Sequence, residues 1–357
     1  MKTKKYIFGT ILFCASTALI SCSNDGDELI QDSTEPVTER VITNINVSAP
    51  TINKEGAGDT RVTFSYDSGL KMEWEAGDGL MGTGYYQRDE STWYRSFSKS
   101  GSATTAGAQT TFSLDGWTDL SAKTTPAYTI TYHPGQSTSG ESHTTTWKTA
   151  SISSTQSQTG NGNTEHLKTN YYAILQNINS ITASDITFSS AWAASHASTK
   201  ALHDGEELGK FYQNSCLKFD LMVPYQVGNK TMSSVTNLKL RLYNSDGTTS
   251  AQIQWKNDGT GTKYYEMNLT LSSIDLTGVD ADNPLHLIAY VMLPIQDWTL
   301  TSGTVVNVGV EYDGGGHYFV KKMAALSSAW NLEAGKLGVI KLNSSNWNYN
   351  SWGVPSE

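Results

Sequence analysis

Apolar residues in this chain recur at every second position, and nowhere over more than about ten residues do they keep a helical spacing. Leu217, Phe219, Leu221 and Val223 alternate with polar or smaller residues until Pro224 stops the run. Leu238, Leu240 and Leu242, then Met267, Leu269 and Leu271, then Val306, Val308 and Val310 repeat the pattern. Period two puts one residue in two on the same face of an extended strand, whereas a helix would need spacings of three and four. Many short strands parted by Gly, Asn, Asp and Ser turns define an all-β chain of packed sheets, that is, β-sandwiches.

The amino terminus sets the context of those strands. Lys2, Lys4 and Lys5 precede an apolar run from Tyr6 to Ile20, and Leu19-Ile20-Ser21-Cys22 closes it with a small residue before a cysteine. This is the layout of a lipoprotein signal: residues 1–21 are removed, and Cys22 takes a diacylglycerol on its thiol and an acyl chain on its new amino group. A plain signal peptide or a single membrane-spanning helix is the competing reading, but a span needs roughly 20 apolar residues. Residues 22–40 are acidic and polar, too poor in apolar area to fold alone, and read as a flexible leash. The expected destination is the outer membrane, with the protein lipid-anchored and exposed on the surface.

Charge and cysteine usage narrow the function. Losing the three signal lysines takes the formal charge from −9 to −12, which repels phosphate backbones, so nucleic acid is not an expected partner. Of three cysteines, Cys14 leaves with the signal and Cys22 is acylated, so Cys216 alone remains and no intrachain disulfide can form. Cys216 reads as a small buried apolar residue. No zinc spacing, no metal-binding histidine pair and no nucleophile elbow is present, and Gly82-Thr83-Gly84 lacks the third glycine of a dinucleotide loop. His286, inside an apolar run, reads as a hydrogen-bonded core residue. Asp280-Ala281-Asp282-Asn283-Pro284 reads as a turn, with calcium ligation as the alternative. Glu206 and Glu207 are adjacent and point apart if extended, a poor general acid and base couple. Neither an enzyme nor a cofactor is expected.

Along the chain, Val41 to Ala49 suits a first strand, with Ile42, Asn44, Asn46 and Ser48 on one face and Val41, Ile45 and Val47 on the other. Val62 to Tyr66 and Leu70 to Trp74 read as a hairpin, and shorter strands surround Tyr85, Phe97, Phe112 and Tyr128 to Tyr132. Gly135 to Asn163 is rich in Ser, Thr, Gly and Gln and reads as a long surface loop around one edge strand. The boundary falls after Asp185, giving an N-terminal sandwich over 41–185 and a C-terminal sandwich with its tail over 186–357. Tryptophans in polar surroundings, Trp93, Trp147, Trp347 and Trp352, are candidates for exposed ligand-binding platforms.

With those residues in view, the chain resembles the fimbrillin family, lipoprotein precursors of type V pili in certain Gram-negative anaerobes. The carriers are Thr60-Arg61-Val62-Thr63-Phe64, then Leu70-Lys71-Met72-Glu73-Trp74-Glu75-Ala76-Gly77-Asp78, then Tyr128 to Pro134. Gln156 to Ala173, Leu217 to Pro224, Leu287 to Pro294 and Leu332-Glu333-Ala334-Gly335-Lys336 follow in the family's order. The resemblance implies two tandem transthyretin-like β-sandwiches and assembly with other fimbrial subunits by β-strand exchange. It implies cleavage after an arginine, release of the first strand, and refilling of its groove by another subunit's C-terminal strand. Arg61 is placed to release Val41 to Ala49, whereas Arg40 precedes that strand and would not. Only Asn343 to Glu357 follows the last strand, short for a donor segment. The expectation is a stalk, tip or accessory subunit contributing to adhesion. The alternative is a non-polymerising surface lipoprotein that binds glycan or host protein.

Overall fold

Where the sequence alternates, strands form. The computed structural model describes residues 40–54, 70–90, 92–132, 155–182, 185–202, 206–244, 256–257, 263–293, 298–323, 325–332 and 335–351. Its first eleven strands are Val41–Ser48 (β1), Thr51–Lys54 (β2), Leu70–Lys71 (β3), Gly79–Gln87 (β4), Trp93–Ala103 (β5), Gln109–Thr118 (β6), Ala127–Tyr132 (β7), Thr155–Thr159 (β8), Ala173–Ile178 (β9), Ile186–Thr187 (β10) and Lys210–Gln213 (β11). Eight of these make one sheet in the order β10-β1-β6-β5-β4-β7-β9-β11.

Trp74 sits at the centre of the core this sheet covers. Its ring meets Phe112 and Tyr132 edge-on, at centroid distances of 5.1 and 4.8 Å, and its indole N–H donates to the Val47 carbonyl over 3.1 Å. Gly82 and Gly84 lie mid-strand, where a Cβ would collide with the rings of Trp117 and Phe97. They are glycine so that two large aromatics can lie flat on the sheet. This core takes in Ile186, Phe188 and Ala193 as well, with Phe211 packed against it. The short helix α1, Ser190–Ser195, supplies Ala193; its Ser189 cap accepts from the Trp192 N–H over 3.3 Å.

The remaining strands are Cys216–Val223 (β12), Gln226–Val227 (β13), Lys230–Thr231 (β14), Asn237–Asn244 (β15), Lys256–Asn257 (β16), Lys263–Ser272 (β17), Leu285–Met292 (β18), Trp298–Leu300 (β19), Val305–Glu311 (β20), His317–Lys322 (β21), Trp330–Leu332 (β22), Lys336–Leu342 (β23) and Asn348–Ser351 (β24). Two facing sheets, β18-β12-β23-β2-β3 and β16-β17-β15-β20-β21-β24, enclose a second core. Leu217, Phe219, Leu221 and Val223 from one sheet share it with Leu238, Leu240, Leu242, Leu269, Val308 and Phe319 from the other. The chain is thus an all-β protein with a sandwich core built on the alternation read from its sequence.

Two strands from the first half of the chain complete these later sheets. Strand β2 runs parallel to β23, Asn53 opposite Lys336 and Lys54 opposite Leu337. Strand β8 runs parallel to β17, from Thr155 opposite Asn268 to Thr159 opposite Ser272. Its inward side chains then close the opposite sheet. The Gln156 amide donates to the Met292 carbonyl (2.7 Å) and accepts from the Met292 N–H (3.0 Å). Gln158 donates to the Ile288 carbonyl (3.0 Å) and accepts from the Tyr290 N–H (3.0 Å). Asn161 donates to the His286 carbonyl and accepts from the Ile288 N–H, both over 2.7 Å, and His166 meets the Tyr290 carbonyl at 2.9 Å. Side-chain amides therefore stand in for a missing neighbour along the free edge of β18. Gln156 and Gln158 are buried, so each bond replaces an orphaned backbone group.

Several expectations are corrected at the level of single residues. The β1 ladder shifts register between Ile42 and Asn44, where Ile42 opposes Trp117 and Asn44 opposes Ser113. Two extra β6 residues there, with Gly116 in the left-handed region at φ +62°, turn Ile42 inward beside Ile45 and Val47 and leave Val41 exposed. His286 is not a core residue. It lies on the exposed face of β18, its Nε2 2.8 Å from Asp220 Oδ1, with Lys341 3.7 Å from the other carboxylate oxygen.

Candidate strand-exchange groove

Strand β1 is held by unequal neighbours. On one side it pairs antiparallel with β6 along nearly its whole length, from Val41 opposite Thr118 to Ser48 opposite Gln109. On the other, β10 pairs with Val47 and Ser48 alone. Among the described residues most of that edge has no strand beside it, and the clefts beside β1 reflect it. One of about 360 Å³ is lined by Arg40, Ile42, Asn44, Ile181, Thr182 and Asp185. Another of about 250 Å³ lies among Asn46, Ser48, Gln109, Thr111 and Asp185.

Three buried side chains, Ile42, Ile45 and Val47, plug the groove above Phe112 and Trp74. Around the rim the links are exposed and polar. Asn46 donates to Asp185 over 3.1 Å, Thr111 to Asn46 over 2.8 Å, and Gln109 to Ser48 over 3.0 Å. Rim bonds of this kind each add only about 1 kcal/mol. The apolar plug, at roughly 1.5–3 kcal/mol per buried side chain, holds β1 in place.

The ends of β1 bear on how it could leave. The carbonyl of Arg40, which a protease cutting after that residue would attack, accepts the Asp119 N–H over 2.8 Å. The Arg40 guanidinium stands 3.6 Å from the Asp119 carboxylate. Arg61 and Cys22 lie outside the described residues. Between β1 and Arg61 lies β2, so a cut there frees two strands rather than one. Thr51 and Ile52 pair with Lys71 and Leu70 of β3, and Asn53 and Lys54 with β23. The resulting opening would run from the β6 edge to the β23 edge.

The tail is partly committed to its own chain. Strand β24 pairs with β21, from Asn348 opposite Val320 to Ser351 opposite His317. Trp347, expected at the surface, is 6 % exposed and sits in the second core, its indole N–H donating to the Asn343 carbonyl over 2.8 Å. Lys321 clasps the preceding turn through the carbonyls of Asn343 (3.0 Å) and Ser345 (2.8 Å) and the Asn343 side chain (2.6 Å).

Of the other aromatic candidates, Trp93 opens β5 and is half-buried, while Trp147 and Trp352 lie outside the described residues. The open ring at this hairpin is its neighbour Tyr94, 47 % exposed. The order Gln-x-Gln-x-x-Asn at 156–161 was the available signal for the clamp on β18, and its polar composition concealed it.

Two residues considered for chemistry are engaged in structure. Asp280 Oδ1 accepts the N–H groups of Asp282 and Asn283, both over 2.9 Å, so the carboxylate closes a turn, and these bonds lower its pKa. Cys216 is fully buried, and burial pushes its thiol pKa up, away from nucleophilic use. Among the described residues no three His, Cys, Asp or Glu side chains group as a metal site.

No protein-family model and no curated protein matches this chain. Among solved structures, a protein from Bacteroides fragilis NCTC 9343, described as a "putative cell adhesion protein", aligns over 88% of this chain and 99% of its own at 13% identity and a TM-score of 0.31. A likeness that distant bears on neither family nor function.

Proposed function

We propose that the chain is a lipid-anchored surface subunit, fixed through Cys22 to the outer membrane, that takes part in adhesive assembly by exchanging its first strand. The supporting observation is the mounting of β1: one long ladder, one two-residue contact, an apolar plug and an open edge. Loss of β1 and β2 uncovers the β6 edge and the side chains beneath it, which an incoming strand can satisfy. Within that reading, the tail favours an accepting tip or accessory role. Trp347 anchors it, and β24 is docked on β21.

The test uses the mature chain without its lipid and an arginine-specific protease. The first cut is expected after Arg61, releasing one fragment that carries both β1 and β2, because the Arg40 carbonyl is tied to Asp119. The trimmed form, and not the intact one, should then bind a peptide copying a partner's C-terminal strand. If cleavage stops after Arg40, or both forms bind alike, strand exchange fails. The reading that remains is a non-polymerising surface lipoprotein, favoured by the exposed ring of Tyr94.

A further inference from the structure

Tyr86 and Tyr94 stand opposite each other across the β4–β5 hairpin, their ring centroids 5.3 Å apart and tilted by 55°. A cation lies against each ring: the Arg88 guanidinium carbon is 5.5 Å from the Tyr94 centroid, and the Lys123 ammonium 5.2 Å from that of Tyr86. Tyr86 is packed on the first core, so the shelf has a fixed floor. Tyr94 forms its open wall.

The described residues of the hairpin tip are tied by hydrogen bonds of their own. The Arg88 N–H donates to the Thr92 carbonyl (3.1 Å), and the Thr92 N–H to Asp89 Oδ1 (2.8 Å). Lys200 donates to the Glu90 carbonyl over 2.7 Å. The Gln87 N–H donates to the Thr124 carbonyl over 3.0 Å, tying the hairpin to the loop that carries Lys123. Little ordering therefore remains for a ligand to impose. In a chain of formal charge −9, Arg88, Lys123 and Lys200 lie at this tip, against Asp89 and Glu90 of the turn itself.

The geometry points to a binding site for an acidic glycan on this shelf, with the apolar C–H face of a carboxylated pyranose stacked on Tyr94 and its carboxylate held by Arg88 and Lys123. Aromatic rings offer a flat apolar surface with a polar rim, which suits a sugar ring, and cations beside the rings select the charged member of a pair of similar sugars. A neutral sugar would make no use of the cations, and an acidic peptide would present no flat C–H face. The site stands independently of strand exchange, since it is complete in the uncut chain.

The experiment titrates the intact mature protein with tetragalacturonate, with its methyl ester, which keeps the rings and removes the charge, and with hexaglutamate, which keeps the charge and removes the rings. Tetragalacturonate is expected to bind, and the ester and hexaglutamate to bind about tenfold more weakly or worse. Arg88→Gln, Lys123→Gln and Tyr94→Ala should each weaken the acid by about tenfold while melting temperatures stay unchanged. Equal binding of acid and ester, equal binding of hexaglutamate, failure of tetragalacturonate to bind, or an unchanged affinity in Tyr94→Ala would overturn the proposal. None of these outcomes depends on whether the trimmed chain captures a strand.

Discussion

His166 shows how one side chain can carry both structure and pH dependence. Its Nε2 lies 2.9 Å from the Tyr290 carbonyl, so that nitrogen must hold the proton and donate, while Nδ1 is buried with no partner among the described residues. Burial lowers the imidazole pKa, against the smaller opposing effect of the bond to Tyr290. In the unfolded chain the ring takes a proton near its ordinary value of about 6.5. Between the lowered folded value and 6.5 the unfolded chain binds a proton that the native one does not, so stability falls as the pH drops through about 6.5. Urea denaturation at a series of pH values should show that fall, and His166→Gln, which can still donate to Tyr290, should flatten it. An unchanged slope in the variant would place the dependence elsewhere. Other residues mark the limits of reading environment from neighbours in sequence. Trp347 sits among Asn and Ser yet is buried, because its indole N–H finds the Asn343 carbonyl. His286 sits in an apolar run yet is exposed, because β18 shows alternate residues to solvent.

At the scale of elements, the amide clamp on β18 makes a sharp prediction. Gln156→Leu would leave the N–H and the carbonyl of Met292 without partners in a buried position, at a cost of about 1–3 kcal/mol for each group. Gln156→Glu can accept from the Met292 N–H but donates to its carbonyl only when protonated, so the loss should shrink at low pH. Denaturation midpoints and hydrogen exchange at Met292 would measure both; a Gln156→Leu protein as stable as the parent would mean that water replaces the amide. Period two exposed several strands, including β12, β15, β17 and β20, because one face of each is apolar in sequence and the other is not. It could not place β8 more closely than as one edge strand within Gly135 to Asn163, since β8 turns glutamine inward, the inverse of the usual rule. Nor could it show partners: Thr51–Lys54 carries nothing in its composition that selects β23 over a nearer edge. Alternation tells which face is buried, while pairing depends on which edges remain free once everything else has packed.

Across the whole molecule, the second sandwich draws two of its strands from the first half of the chain, so it should not stand alone. Expressed without residues 1–212, it would keep β12, β15, β18, β20, β21 and β23 but lose β2 and β8, leaving the edges of β17, β18 and β23 unpaired. Such a fragment should aggregate or bind a dye for exposed apolar surface, and a soluble monomer melting like the parent would show the edges to be self-sufficient. The same interleaving has a consequence in time. A ribosome delivers Thr155 long before its partner Asn268, and Asn53 longer still before Lys336, separations of 113 and 283 residues by their numbering. Strand β23 lies between β12 and β2 in its sheet, so that sheet has no middle until Lys336–Leu342 has been made. A chain interrupted before Lys336 leaves the facing edges of β12 and β2 bare and carries them into the cell's quality control. The order of strands along the chain thus makes closing this sheet wait on β23, however early its other strands are made.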